Sequence, residues 1–272
     1  MRSATWRRNF RKSLTIFSAA LSALLISVGI ASAGFGQPAG ITDEAHDMHD
    51  LYLLLLAMAA VVFIGVEAML LFIIFRYRRR NDDLPPQTHG NNFLEVVWTS
   101  IPIIIVLILF VFSFIVLVDV DDSADSKDLT VDVEGFQFQW SFRYNLNDLG
   151  PGSDPNKAGY VSVTGTAAEE PTLVIPVDEP VEFRLHSNDV IHSFYVRDFL
   201  YKLDVIPGRD NRFVVTAREL GTFHGQCAEL CGLNHADMIF HLKVVTREEF
   251  DQYIASLPVQ QDENQQGQVR KP

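Results

Sequence analysis

Two cysteines, a histidine and a methionine fall within twelve residues late in the chain, in Gly225-Gln226-Cys227-Ala228-Glu229-Leu230-Cys231-Gly232-Leu233-Asn234-His235-Ala236-Asp237-Met238. A further imidazole, His192, stands 35 residues before Cys227, in Asp189-Val190-Ile191-His192-Ser193-Phe194. Soft sulfur donors combined with imidazole select copper over hard cations, and His, Cys and a weak Met on one loop with a second upstream His make a blue-copper ligand set. The extra cysteine extends that chemistry. Thiolates four residues apart can both bridge a pair of coppers, each of which then needs one imidazole and one weak axial donor. His192, His235, Met238 and the Glu229 backbone carbonyl supply those. A site closed in this way, with no position for water or substrate, suits electron transfer better than catalysis. Zinc is a competing ion, although Cys2His2 fingers do not use this spacing. A Cys227–Cys231 disulfide in an oxidising compartment is another reading, which leaves the His and Met placement unexplained.

The other histidines have weaker claims. His186, His224 and His241 sit in or beside strand-like runs and read as packing or surface residues, and His46, His49 and His89 flank apolar stretches with no sulfur nearby.

The elements that must position the cluster read as β-structure. Leu129–Val133, Thr172–Ile175, Val181–Leu185, Arg212–Thr216 and Ile239–Val245 are short runs rich in β-branched and aromatic residues, separated by turn residues such as Pro151-Gly152-Ser153 and Pro207-Gly208. Such punctuation over residues 129–256 predicts a Greek-key sandwich or barrel, closed by a short helix from Glu248 to Ser256. Residues 257–272 are polar and Gln-rich and read as a disordered tail.

Ahead of that domain lie two apolar stretches, at 51–75 and 96–118, each long enough to span a hydrocarbon core of roughly 30 Å. The loop between them, 76–95, carries Arg76, Arg78, Arg79 and Arg80 and is therefore expected on the cytoplasmic side. Residues 34–50 are then an outer N-terminal segment and 119–128 an acidic linker into the outer domain. Residues 1–33 have a basic start, an apolar run and Ala31-Ser32-Ala33, the pattern of a secretory signal peptide cut after Ala33, with an uncleaved first transmembrane helix as the other reading. Glu67 is an ionisable group within the first span and is expected to face protein rather than lipid. Glu95 opens the second, where a carboxylate favours the helix dipole.

Composition agrees with a folded membrane protein. The 272 residues are 48% hydrophobic and 21% charged, which excludes a disordered chain, and a formal charge of −12 argues against nucleic acid as a partner. Outside the signal peptide and the inner segments, 30 acidic residues face 13 basic ones, so a cationic partner is favoured at the outer surface. Two cysteines are too few for a disulfide scaffold. The Cys-x-x-Cys-His pattern of an attached haem c does not occur.

From about Ala45 to Ser256 the chain resembles subunit II of the haem-copper cytochrome c oxidases. The resemblance rests on the apolar hairpin, Glu95-Val96-Val97-Trp98-Thr99-Ser100-Ile101-Pro102, Gly135-Phe136-Gln137-Phe138-Gln139-Trp140, Ile206-Pro207-Gly208-Arg209 and the sulfur loop. It implies an α+β membrane protein of the bacterial inner membrane, with a cupredoxin-like outer domain holding the binuclear copper centre CuA. In that family CuA takes electrons from cytochrome c and passes them to haem in subunit I, where oxygen is reduced to water and protons are pumped. The implied copper ligands are His192, Cys227, Glu229 through its carbonyl, Cys231, His235 and Met238, and Glu229 also implies a magnesium shared with subunit I. Glu95 matches the entrance of a proton pathway into subunit I, and Asp204 and Arg209 match polar positions near that subunit. The family usually has Trp-aromatic-Trp where this chain has Phe138-Gln139-Trp140. Phe138 thus replaces the usual point of electron arrival, leaving Trp140 as the candidate and a membrane-bound cytochrome as an alternative donor to a soluble one. A CuA subunit of a nitric oxide reductase could share the sulfur loop. A quinol oxidase subunit could share the fold but lacks the sulfur ligands, and a structural β-domain with one disulfide is the reading from outside electron transfer.

Overall fold

The structure, a computed structural model, describes residues 36–79, 87, 89–122, 128–151, 153, 157–166 and 168–261. The expected signal peptide, residues 80–86 and 123–127, and the tail from 262 lie outside the described residues.

Two helices, α1 (Asp43–Arg76) and α2 (Asn92–Asp122), contain the expected spans and run past them. Thr42 caps α1, its Oγ1 accepting from the Ala45 N–H at 3.0 Å, and Asp43 and Glu44 occupy the first turn, where carboxylates suit the helix dipole. The 34 residues of α1 therefore reach about 50 Å, more than a hydrocarbon core needs. The outer segment expected at 34–50 is thus helical from Asp43, because the cap acts well before the apolar run begins. At the other end α2 stays helical through Asp122, into the expected acidic linker, since no Pro or Gly follows Pro102 within it. Both helices are long and apolar enough to cross a membrane, and their apolar side chains are exposed along most of their length.

Among the described residues ten strands follow: β1 (Leu129–Phe136), β2 (Gln139–Asn145), β3 (Tyr160–Thr164), β4 (Thr172–Pro176), β5 (Pro180–Ser187), β6 (His192–Val196), β7 (Tyr201–Val205), β8 (Asn211–Thr216), β9 (Gly221–Cys227) and β10 (Ile239–Val245). They form two five-stranded sheets, β3-β2-β1-β5-β8 and β4-β10-β9-β6-β7, the sandwich form of the expected β-domain. β1 runs parallel to β5 and β4 parallel to β10, while the other pairs are antiparallel.

The sheets meet through aromatic rings. Trp140 and Phe142 of β2 pack edge-on against Phe240 of β10 at centroid distances of 5.7 and 5.3 Å, and Phe183 of β5 stacks on Phe194 of β6 at 5.6 Å. Phe240 lies directly across from Gly225 in the β9–β10 ladder. A Cβ on Gly225 would meet the Phe240 ring at 2.2 Å, so this strand position admits only glycine. Helix α3 (Arg247–Ser256) closes the domain with a capping box between Thr246 and Glu249, and buries Phe250 and Ile254.

The tail departs from expectation at its start. Tyr160 and Gln260 exchange backbone hydrogen bonds at 3.0 and 2.8 Å, so residues 257–261 are ordered against β3. As an edge strand, β3 presents unpaired backbone groups that even a polar segment satisfies.

Candidate metal centre

Each sulfur-loop residue is placed by the ladders around it. Cys227 ends β9, and its N–H donates to the Met238 carbonyl at 2.9 Å, which keeps the two ends of the loop together. The loop closes in a short 3-10 turn at His235–Asp237 that returns the chain to β10 with Met238 facing inward. His192 opens β6, which pairs with β9, so the upstream imidazole arrives beside Cys227 by strand pairing. The Ala228 N–H donates to the Ser193 carbonyl at 3.0 Å and extends that contact into the loop.

The result is a cluster of all six residues singled out above. Cys227 Sγ lies 3.9 Å from His192 Nδ1, 3.9 Å from Cys231 Sγ and 3.2 Å from the Glu229 carbonyl oxygen. Cys231 Sγ lies 3.7 Å from His235 Nδ1 and 3.8 Å from Met238 Sδ. His192 and Met238 are fully buried, and both cysteines nearly so. Both are free thiols, and their separation is far beyond the roughly 2.05 Å of an S–S bond, so the disulfide reading fails. Sulfurs at this distance can both bond one metal at about 2.3 Å if it sits off the line joining them, and such points exist on either side of that line. Two thiolates, two imidazoles, a thioether and a carbonyl are a soft donor set that fits copper.

The charges fit as well. Burial by itself would raise the Cys227 thiol, but hydrogen bonds from the His192 ring and from nearby N–H groups outweigh it and bring its pKa down to about 6. Burial and the adjacent Cys227 thiolate push Cys231 up to about 12. Burial also disfavours the charged His192 ring, yet Cys227 and Asp189 together raise its pKa. Without metal, the Cys227 thiolate is stabilised at the expense of its neighbour, and a cation between the two sulfurs would favour both thiolates.

Trp140 is fully buried beneath the site. Its Nε1 donates to the Met238 carbonyl at 3.3 Å and its ring meets His192 edge-on at 6.1 Å. It therefore touches the site but offers no surface to an arriving partner, whereas Phe138 is half-buried on the outer side of the loop. Glu229 projects its carboxylate outward, beside exposed Leu230 and Leu233. Glu95 lies at the far end of α2 from the β-domain, where its Oε1 accepts from the Asn91 N–H at 3.4 Å. His186 pairs with Asp210, His241 with Glu170, and His224 is exposed, so none joins the cluster.

Two contributors carry no assigned role in the sequence reading. Asp189 Oδ1 sits 2.8 Å from His192 Nε2, and the Gln137 side chain donates to the Cys231 carbonyl at 2.6 Å. The Asp-x-x-His spacing was the one available signal for Asp189, since a carboxylate behind a ligating imidazole is a common support. Nothing in the sequence singles out Gln137.

Comparison with known proteins places this geometry. The sequence profile described as cytochrome C oxidase subunit II, periplasmic domain matches residues 129–245, and that described as its transmembrane domain matches residues 31–116. A probable cytochrome c oxidase subunit 2 of Streptomyces coelicolor is 36% identical over 92% of this chain and 88% of its own. A counterpart so described in Rickettsia bellii is 35% identical over 82% of this chain and 83% of its own. Among solved structures, the periplasmic domain of subunit II of cytochrome oxidase of Bradyrhizobium japonicum is 32% identical, covering 48% of this chain and 93% of that one, with a TM-score of 0.40.

Proposed function

Since this chain belongs to the cytochrome c oxidase subunit II family, we propose that its β-domain holds the binuclear copper centre CuA and serves as the electron input of a respiratory terminal oxidase. His192, Cys227, Glu229, Cys231, His235 and Met238 would hold that centre, the two cysteines as thiolates, the histidines through Nδ1, Met238 through sulfur and Glu229 through its carbonyl. The supporting observation is the convergence of these six donors, with the sulfurs 3.9 Å apart and an imidazole Nδ1 within 4 Å of each.

When bound, the copper pair supplies a one-electron carrier. The chain's own residues make that carrier rigid and dry. Asp189 accepts from His192 Nε2 and so leaves Nδ1 free to ligate. Trp140, Phe194 and Phe240 wall the site from below and exclude water. The β9–β10 ladder holds both loop ends, so little rearrangement accompanies a change of charge.

Electrons come from a cytochrome c, soluble or membrane-bound, drawn by the acidic exterior. The donor contacts the surface at Phe138, because Trp140 is buried and acts as part of the wall. The electron leaves toward haem in subunit I, where oxygen is reduced to water and protons are pumped. Exposed Leu230 and Leu233 suit burial against that subunit, and the outward Glu229 carboxylate suits a magnesium shared with it. Glu95, at the inner end of α2, receives protons bound for subunit I. The chain resides in the bacterial cell membrane with its β-domain on the outer face. The transmembrane match over residues 31–116 favours the oxidase over a nitric oxide reductase subunit.

The test is metal analysis of the purified oxidase complex together with rapid reduction by cytochrome c. About two coppers per chain, reduced before the haems, support the reading, and haem reduction with no preceding copper phase contradicts it.

A further inference from the structure

We infer that Gln137 is a positioning residue that locks the two ligand-bearing segments of the metal centre together; the inference rests on the copper reading above. Gln137 lies in the turn between β1 and β2, on neither ligand segment, and reaches both. Its backbone N–H donates to Asp189 Oδ2 at 2.6 Å, and its side-chain Nε2 donates to the Cys231 carbonyl at 2.6 Å. The other oxygen of Asp189 takes His192 Nε2 at 2.8 Å. One continuous chain of hydrogen bonds thus runs from the His192 imidazole through Asp189 and Gln137 to the Cys231 peptide. It ties the His192 ring to the Cys231 segment through the ring nitrogen that faces away from the cysteine sulfurs.

The loop is shaped to receive this contact. Gly232 follows Cys231 with φ +138°, and a Cβ there would sit 2.9 Å from Phe138 Cε1 and 3.1 Å from Gln137 Nε2. Only glycine lets the 137–138 turn lie against the loop. The residue type at 137 matters equally. The Cys231 carbonyl needs a donor, which the amide provides and a carboxylate does not.

Gln137 is itself exposed, and a hydrogen bond that water can replace contributes little net stability. Its loss therefore leaves the fold intact while relaxing the distance between His192 and Cys231, and metal sites depend on such outer contacts. A merely structural residue would show the reverse, a fall in thermal midpoint with an unaltered copper spectrum.

The experiment compares the wild-type oxidase complex with Gln137→Leu and Gln137→Glu variants. Copper release to bathocuproine disulfonate under reducing conditions, the visible spectrum of the oxidised copper pair and the thermal midpoint are recorded for each. The expected result is release on the order of tenfold faster in both variants, a shifted spectrum and an unchanged midpoint. Adding Asp189→Asn to Gln137→Leu should accelerate release by less than the product of the single effects, because both cut the same chain. Wild-type release and spectrum in both variants overturn the inference while leaving the copper reading in place, as does faster release that only tracks a lowered midpoint. A wild-type complex that takes up no copper overturns both.

Discussion

Asp189 grips the far side of the His192 ring, its Oδ1 2.8 Å from Nε2, while the ring's Nδ1 faces the Cys227 sulfur at 3.9 Å. One carboxylate therefore fixes both the tautomer and the orientation of a ligand on a different strand from the sulfur loop. Asp189→Ala should lower copper affinity by about 10- to 100-fold in a chelator competition with the folded complex. Unaltered affinity would mean that strand pairing alone aims the ring.

Removal of either bridge should abolish the pair outright. Cys227→Ser or Cys231→Ser is expected to leave at most one copper per chain, since a serine hydroxyl cannot bridge soft metal ions. Met238→Leu should keep both coppers and shift the reduction potential, because an axial thioether is a weak ligand. Copper analysis and redox titration of the purified variants check both statements, and a Ser variant with normal stoichiometry would remove the bridging assignment.

Gly225→Ala probes the scaffold. The added methyl meets the Phe240 ring at 2.2 Å in a core where Phe240 also touches Trp140, Phe142 and Phe194. Overpacking of this kind costs about 1–3 kcal/mol. A thermal midpoint lowered by several degrees is expected, with weaker copper retention because Gly225 lies two residues before Cys227. An unchanged midpoint would show that the sheets can part there without penalty.

Arg218 joins the start of helix α1 to the β-domain. Its guanidinium meets both oxygens of Asp43 at 2.9 and 2.6 Å and Asp178 at 2.9 Å, with every partner substantially exposed. Pairs so exposed contribute about 0–1 kcal/mol, so Arg218→Ala should hardly move the global midpoint. It should instead speed proteolysis or amide exchange at Ile41 and Thr42, whose backbones bridge to Arg218 and Ala217. Faster exchange spread evenly over the domain would contradict that local role.

Glu95→Ala separates two roles for one carboxylate. As a proton-pathway residue it should slow oxygen consumption while copper content stays constant. As a helix-terminal acid that only meets the Asn91 N–H, its loss should leave turnover unchanged.

Much of this architecture was legible because its signals are local. The sulfur loop carries four donors at fixed spacing, and the spans are long, almost wholly apolar runs, so neither depended on knowing the fold. Five strands were legible in the same way. The remaining five were hidden for identifiable reasons. β9 contains Gly221 and Gly225, poor strand formers whose places are set by neighbouring rings. β2 alternates correctly but fills its outer face with Gln139, Ser141, Arg143 and Asn145. β3, β6 and β7 are five residues each, like the legible β4, but break their apolar character with Ser162, with His192 and Ser193, and with Lys202 and Asp204. Asp189 and Gln137 were hidden for a different reason, since they act on residues 3 and 94 positions away through a fold that the sequence pattern does not draw. The order of residues 257–261 likewise depends on an edge strand about 100 residues earlier.

The most direct test of the central claim is the paramagnetic resonance spectrum of the oxidised, purified complex, with its copper content and free thiols counted on the same sample. The account predicts hyperfine splitting from two equivalent copper nuclei sharing one unpaired electron, lost together when Cys227 or Cys231 is replaced by serine. A single-copper pattern, or a copper-free chain with Cys227 and Cys231 oxidised to a disulfide, would contradict it.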